Sequence, residues 1–340
     1  MAAPRPAAPP GAFPRNVLFA ALCAACLLIA GGYAALAVAR DRPAAPALAA
    51  GPASLAGLGG ESGVLFLETD GGPRRQLSLA PLAPAEAEPR VADMLCQRVH
   101  IAAGQGLCVG GDLVHGGALL FDADLKIQHT LPTSGIPSRA RVSPDGRLAA
   151  MTHFVRGHSY GEGGFSTQTT LIDTAAGRAI ADLEEFAVLR DGAPFRSPDF
   201  NFWGVTFARD PNRFYATLGT GGTTYLLEGD VAARQLRVMR ENVECPSLSP
   251  DNTRLVFKSR VPGGRWRLHL LDLAALTDQP LGETRSVDDQ VEWLDDGHVL
   301  YALRDEGPPP TIRPDLWLLP VDGGAPQLFL KGAMSPAAIR

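Results

Sequence analysis

Residues 138–154 read SRARVSPDGRLAAMTHF, and the four at the centre, Ser143-Pro144-Asp145-Gly146, decide how the segment folds. Proline presets φ at the second position of a tight turn, and Asp-Gly tolerates the positive φ that closes it. On both sides short apolar–polar alternation has the period of a β-strand. The stretch is a β-hairpin.

The hairpin recurs. ECPSLSPDNTRLVFKSR (244–260) and DQVEWLDDGHVLYALRD (289–305) carry the same strand, turn and strand. In each case a third strand follows, TTLIDT (169–174), RLHLLDL (267–273) or DLWLLPVDGG (315–324), and a fourth closes the unit. Two looser copies span 202–239, with Arg209-Asp210-Pro211-Asn212-Arg213 as first turn, and 97–131. A period of about 40–50 residues with four antiparallel strands per repeat is one propeller blade. The two ends supply a sixth. GVLFLETDGGPRRQLSL (63–79) parallels 315–330 and so reads as the last two strands of a blade, while KGAMSPAAIR (331–340) reads as a first strand. Joining the ends closes the ring and removes free sheet edges, and leaves that blade's second strand unassigned.

The Ser-Pro-Asp-Gly turn (143–146), its copy Ser249-Pro250-Asp251-Asn252, and third strands ending in Leu-Asp or Val-Asp-Gly-Gly resemble the six-bladed TolB-like propellers. The resemblance covers roughly residues 61–340 and implies fold more than function. The family's periplasmic representative has an additional N-terminal domain and works in the Tol–Pal envelope system. Here a membrane segment and a linker stand in that place, so the resemblance implies a membrane-anchored, extracytoplasmic TolB-like protein.

That membrane segment is NVLFAALCAACLLIAGGYAALAVA, residues 16–39, with no charge between Arg15 and Arg40. As a helix it spans roughly 36 Å, enough for a hydrocarbon core of about 30 Å. The resulting organisation is a cytoplasmic N-terminus (1–15), a transmembrane segment or signal anchor (16–39), an Ala/Pro/Gly linker (40–60) and the propeller (61–340). Arg5 and Arg15 before the segment place the body outside the cytoplasm. Small residues at 37–39 and 47–49 also fit signal cleavage, which would release a secreted propeller.

Segment 1–60 holds four arginines and one acid, so residues 61–340 carry 27 basic against 35 acidic residues, a net charge of −8. A body of that sign has no electrostatic attraction to nucleic acid. Cys96 and Cys108 flank two short strand-like pieces and, in an oxidising compartment, are expected to form a disulfide. Cys245 reads as a buried thiol. No ligand spacing for zinc occurs, and no cofactor is expected.

One stretch imitates an enzyme motif. Gly157-His158-Ser159-Tyr160-Gly161 matches the G-x-S-x-G of a nucleophile elbow, which requires a helix after the serine. Three glycines within 161–164 and a β-branched run follow instead, so no helix starts there. The stretch belongs to a loop between second and third strands. His153, Arg156, His158 and Glu162 are read as a solvated polar loop, and GTGGTTY (219–225) as a hairpin turn. Trp203, Trp266, Trp293 and Trp317 fall on strands and are expected to pack between blades.

The candidate site is the rim that precedes the innermost strands. SPDFNFWG (197–204), RENVECP (240–246) and RSVDDQVEW (285–293) are expected to bring Asp199, Asn201, Glu244, Asp289, Gln290 and Glu292 to one mouth, with Glu241 and Asp288. Such an acidic, amide-rich opening would suit a basic peptide, a cation or a sugar. The functional expectation is a monomeric, non-enzymatic scaffold binding a cell-envelope protein or peptide. The alternative is a hydrolase or lyase acting on a glycan or peptide, with Asp289 and Glu292 as acid and base.

Overall fold

The repeated turn explains the repeated hairpin atom by atom. Ser143 Oγ donates to Asp145 Oδ1 (2.6 Å) and accepts from the Leu148 N–H (2.9 Å), while Gly146 closes the turn at φ +74°. Ser249 and Asp251 repeat the bond at 2.5 Å, with Asn252 at φ +64°. In Leu294-Asp295-Asp296-Gly297, Asp295 Oδ1 accepts from the Gly297 N–H (2.7 Å). Each turn satisfies its own backbone donors and feeds two strands in antiparallel register.

The structure, a computed structural model, describes residues 17, 19, 23–24, 26–28, 55, 62–69, 75–82, 89–110, 117–155, 166–304 and 313–340. The chain divides into two units, Met1–Leu48 and Ala49–Arg340. In the first, the described residues are helical. The rest of the expected segment 16–39 lies outside the described residues, and among those described no helix is long and apolar enough to cross a membrane. Of the linker 40–60 only Leu55 is described; its N–H donates to Ala123 O (2.9 Å). The Gly157–Gly161 stretch, Arg156 and Glu162 also lie outside the described residues, whereas His153 is buried.

The second unit is a six-bladed propeller. In chain order its strands are β1 (Gly63–Glu68), β2 (Arg75–Pro81), β3 (Arg90–Cys96), β4 (Arg98–Ala102), β5 (Gln105–Val109), β6 (Gly117–Phe121), β7 (Ile127–Pro132), β8 (Ile136–Val142), β9 (Leu148–Val155), β10 (Ser166–Asp173) and β11 (Arg178–Asp182). There follow β12 (Ala187–Arg190), β13 (Ala193–Pro194), β14 (Asn201–Phe207), β15 (Arg213–Thr220), β16 (Thr223–Asp230), β17 (Gln235–Glu241), β18 (Glu244–Leu248) and β19 (Arg254–Val261). The last are β20 (Arg265–Asp272), β21 (Asp278–Pro280), β22 (Glu292–Trp293), β23 (His298–Arg304), β24 (Pro314–Pro320), β25 (Gln327–Leu330) and β26 (Ala333–Ile339). Blade I is β4–β7, blade II β8–β11, blade III β14–β17, blade IV β18–β21 and blade V β22–β25; the closing blade runs β26-β1-β2-β3. The innermost strands touch in a ring, β26 to β4, β8, β14, β18, β22 and back to β26.

Hydrophobic alternation builds the layers between blades. Leu65 and Leu67 pack with Val99 and Ile101 of blade I, whereas Val64 and Phe66, pointing the other way, pack with Leu300 and Leu316 of blade V. Because both faces of a blade are covered, its middle strands are apolar on both sides of the pleat.

Three sequence assignments change. Residues 63–79 form the second and third strands of the closing blade, not the last two: β1 pairs directly with β26 (Gly63 opposite Ile339, Glu68 opposite Ala333). The outermost strand is β3, whose one-sided burial and exposed Asp93 hid it behind a Pro/Ala-rich stretch. Cys96 therefore belongs to β3, not to a hairpin with Cys108. Their bond (Cα–Cα 5.5 Å) joins the closing blade to blade I. Blade III also carries an unforeseen edge, where β12 runs parallel to β17 and β13 folds back on it.

Candidate functional site

Every innermost strand starts at one mouth of the central channel. Arg98 opens β4, Ser138 and Arg139 lie early in β8, Trp203 in β14, Glu244 opens β18, and Met334 lies at the start of β26; all line one cavity of about 780 Å³. Second strands end at the same mouth, because a hairpin returns the chain to where it began. They add Phe154, Lys258, Arg260 and Arg304, and Arg75 enters from the start of β2.

The mouth is basic, which overturns the acidic opening expected from sequence. Among the described residues, six cations (Arg75, Arg98, Arg139, Lys258, Arg260, Arg304) face three acids (Glu244, Asp288, Asp289). The loops that precede first strands carry the acids, whereas the strand ends that share their rim, remote in sequence, carry the cations. The acids are also engaged. Lys258 Nζ donates to Asp288 Oδ1 (2.5 Å), Arg260 Nη2 to Glu244 Oε1 (3.1 Å), and the Ala302 N–H to Asp289 Oδ2 (2.9 Å). Burial alone would raise Asp288, but the Lys258 ammonium beside it holds it below the usual range.

Of the six expected binding residues, Glu244 and Asp289 line this cavity. Asp199 instead closes a loop, accepting from the Gly221 N–H (2.7 Å), Ser197 and Thr220 Oγ1 (2.5 Å), bonds that bring it down to about 2. Asn201 accepts from the Thr167 N–H (2.8 Å) and donates to Asp199 O (3.1 Å). Gln290 is buried, its amide donating to Val205 O (3.0 Å) and Pro246 O (2.9 Å) of blades III and IV. None of these three lines the cavity.

Glu292 lies deeper, below a constriction lined by His100, Arg141, Gln290 and Ser335. It accepts from Arg141 Nη1, from the Ala338 N–H (3.3 Å) and from His100 Nε2 (3.3 Å). The Val142 N–H donates to His100 Nδ1 (3.0 Å), which puts the proton of the neutral imidazole on Nε2, facing Glu292. Burial alone would raise Glu292, but His100 and Arg141 beside it bring it to about 2; burial lowers His100. Beyond lies a second cavity of about 420 Å³ at the strand ends, bounded by Pro144, Thr206, Trp293 and Arg340.

Sequence reasoning missed the arginines and two tryptophans. Trp293 packs between blades as expected, but Trp203 and Trp266 line the basic mouth. The usable signal was Lys258, one of three lysines in the chain, set directly after the apolar Leu255-Val256-Phe257 and 2% exposed.

No protein-family model matches this sequence, and no curated protein matches it. Solved structures do resemble it. TolB from Acinetobacter baumannii aligns with a TM-score of 0.58 and 15% identity over 82% of this chain and 66% of that one, so this chain spans just under two thirds of its length. A putative TolB from Agrobacterium tumefaciens aligns at 0.51 and 12%, covering 82% and 92%. A chain from a nidogen/laminin complex aligns at 0.54 and 9%, covering 82% and 98%. At these identities the likeness is one of fold, and the fold is a TolB-like six-bladed propeller.

Proposed function

We propose that this chain is a non-enzymatic binding or scaffolding module for a cell-envelope protein or peptide. Residues 16–39 hold it to the membrane, with the propeller on the extracytoplasmic side; cleavage after that segment would instead release it. The observation that carries the reading is the strand-start mouth. It is a wide cavity whose carboxylates are bonded to cations and backbone N–H groups, an arrangement suited to holding a ligand. The uncharged run of 24 residues and a Cys96–Cys108 pair suited to an oxidising compartment support the location. One similar structure is a chain of a nidogen/laminin complex.

The hydrolase or lyase reading asks Asp289 and Glu292 to act as acid and base. A general acid must hold its proton near neutral pH. Glu292 is held at about 2 by a buried ion pair, and Asp289, which lines both the mouth and the constriction, accepts from the Ala302 N–H (2.9 Å). Binding is the better-supported reading.

The test is capture from crosslinked membranes with the tagged full-length chain and an Arg260→Glu/Arg304→Glu variant, both positions being exposed at the rim. A defined envelope protein held by the parent chain and lost by the variant is the expected result. Recovery of no partner from intact membranes overturns the scaffold, and fractionation of the same cells tests the anchor.

A further inference from the structure

Four arginines form a connected series along the strand-start mouth. Arg304 repels Arg75, Arg75 repels Arg98, and Arg98 repels Arg139. Burial and the neighbouring Arg139 bring Arg98 down to about 10. Among the described residues, Arg304, Arg75 and Arg98 reach no carboxylate within 4.0 Å; Arg139 lies 3.9 Å from Asp288, which Lys258 holds at 2.5 Å, and although burial alone would lower Arg139, the neighbouring Cys245, Asp289 and Asp288 raise it. Donors are left over too. Arg75 Nε, Arg139 Nε and Trp266 Nε1 are buried and find no acceptor among the described residues, and all three residues line this cavity. Unpaired N–H groups beside under-neutralised guanidinium groups are costly unless an anion joins them.

The opposite side of the cavity is balanced by its own pairs, Lys258 with Asp288 and Arg260 with Glu244. Among the described residues the surplus charge is therefore carried by Arg304, Arg75 and Arg98, along a series rather than at a point. About 780 Å³ far exceeds what a single inorganic anion fills. A sugar ring would want open indole faces, but Lys258 and Arg260 sit over the Trp266 ring, and Trp203 packs onto Gly219. What fits is a chain carrying carboxylates at intervals, since guanidinium and carboxylate match as planar forks.

We infer that the strand-start mouth is a receptor for an extended acidic polypeptide segment, whose successive carboxylates are taken by Arg304, Arg75, Arg98 and Arg139. The inference rests on the binding-module reading and names the chemistry of its ligand. Arg304 and Arg75 meet the segment at the rim, and Arg98 and Arg139 hold its leading carboxylate at the constriction.

The experiment titrates the full-length chain into fluorescently labelled hexaglutamate and reads anisotropy at low and moderate salt. Hexaglutamate binds, salt weakens it, and hexalysine does not bind. Arg75→Gln and Arg304→Gln each weaken binding by about tenfold or more, while Arg147→Gln, at the opposite end of blade II, leaves it unchanged. Absence of hexaglutamate binding by a chain that unfolds cooperatively overturns the inference. So does equal binding by the two variants, or stronger competition by trigalacturonate or inorganic phosphate, which would assign the site to a glycan or a small anion. Failure here with an envelope partner still captured removes the acidic-segment inference alone. Hexaglutamate binding with no captured partner removes the scaffold reading alone.

Discussion

Arg141 of blade II donates to Glu292 of blade V, so two blades on opposite sides of the ring are joined through the channel by one buried ion pair. Both side chains are 9% exposed, and Arg141 Nη2 also donates to Val291 O (3.1 Å). Removing one partner strands the other charge in a desolvated site. Arg141→Met or Glu292→Gln should each cost about 3–5 kcal/mol, measured as a fall in the urea midpoint at unchanged slope. The double variant Arg141→Met/Glu292→Leu should recover much of that loss, because the desolvation penalty leaves with the pair. Costs that simply add would show that the two residues act separately.

The same pair sets an acid limit on stability. Glu292 lies at about 2 in the folded chain against an ordinary 4.5. A folded value below the unfolded one means that its contribution is fully present above about pH 4.5 and is lost as pH falls toward 2. That contribution is on the order of 3 kcal/mol. His100, whose value burial lowers, adds in the same direction as pH falls below its ordinary 6.5, since the unfolded chain then takes up the proton first. Urea midpoints measured between pH 7 and pH 3 should fall with acid in the parent chain. In Glu292→Gln the steep component below pH 4.5 should be missing.

Blades were legible wherever a turn announced itself chemically. Ser143-Pro144-Asp145-Gly146 and Ser249-Pro250-Asp251-Asn252 close with their own side chains, so local sequence suffices to place the hairpins. The outer strands carry no such signature. β3 and β13 are short or half-exposed and are held by what they pair with, which no local pattern encodes. The site failed for a related reason. Asp199 and Glu292 stand in similar acidic stretches, yet one caps a loop and the other is buried in the channel. The basic mouth is assembled from Arg75, Arg139, Lys258 and Arg304, residues far apart in the chain that only ring closure brings together.

Gly204 tests how tightly the innermost strands are packed. It sits in β14 at φ +66°, where the register against β15 shifts between Trp203 and Thr206. A Cβ there would lie 2.7 Å from the Cys245 Cα on the neighbouring blade. Alanine meets both a left-handed backbone and a backbone clash, for a cost of about 3 kcal/mol. Gly192 makes the comparison clean, being at φ +77° with nothing within 4 Å of its virtual Cβ. Gly192→Ala should cost only about 1 kcal/mol. Thermal unfolding of the two variants separates conformational strain from steric exclusion, and equal losses would remove the clash from the account.

Ring closure depends on β26, which joins three blades at once. It pairs with β1, its Ser335 Oγ lies 3.1 Å from both Val99 N and Val99 O of blade I, and Arg340 donates to Trp293 O of blade V. Its Ala338 N–H also donates to Glu292. Deleting residues 332–340 leaves β1 with an open edge and removes Ala333, Met334 and Ala337 from two inter-blade layers. The truncated chain should lose near-ultraviolet circular dichroism and cooperative unfolding together. The register then dictates a rescue. Ile339 lies opposite Gly63, so the end of β26 and the start of β1 are neighbours that a turn of about two to five residues can join. A circular permutant that places 332–340 directly before residue 62 through such a turn should unfold cooperatively again, with a midpoint close to that of the parent chain. If the permutant stays uncooperative while an added peptide of the same nine residues restores the signal, the strand closes the ring but the connection through 340 and 62 is strained.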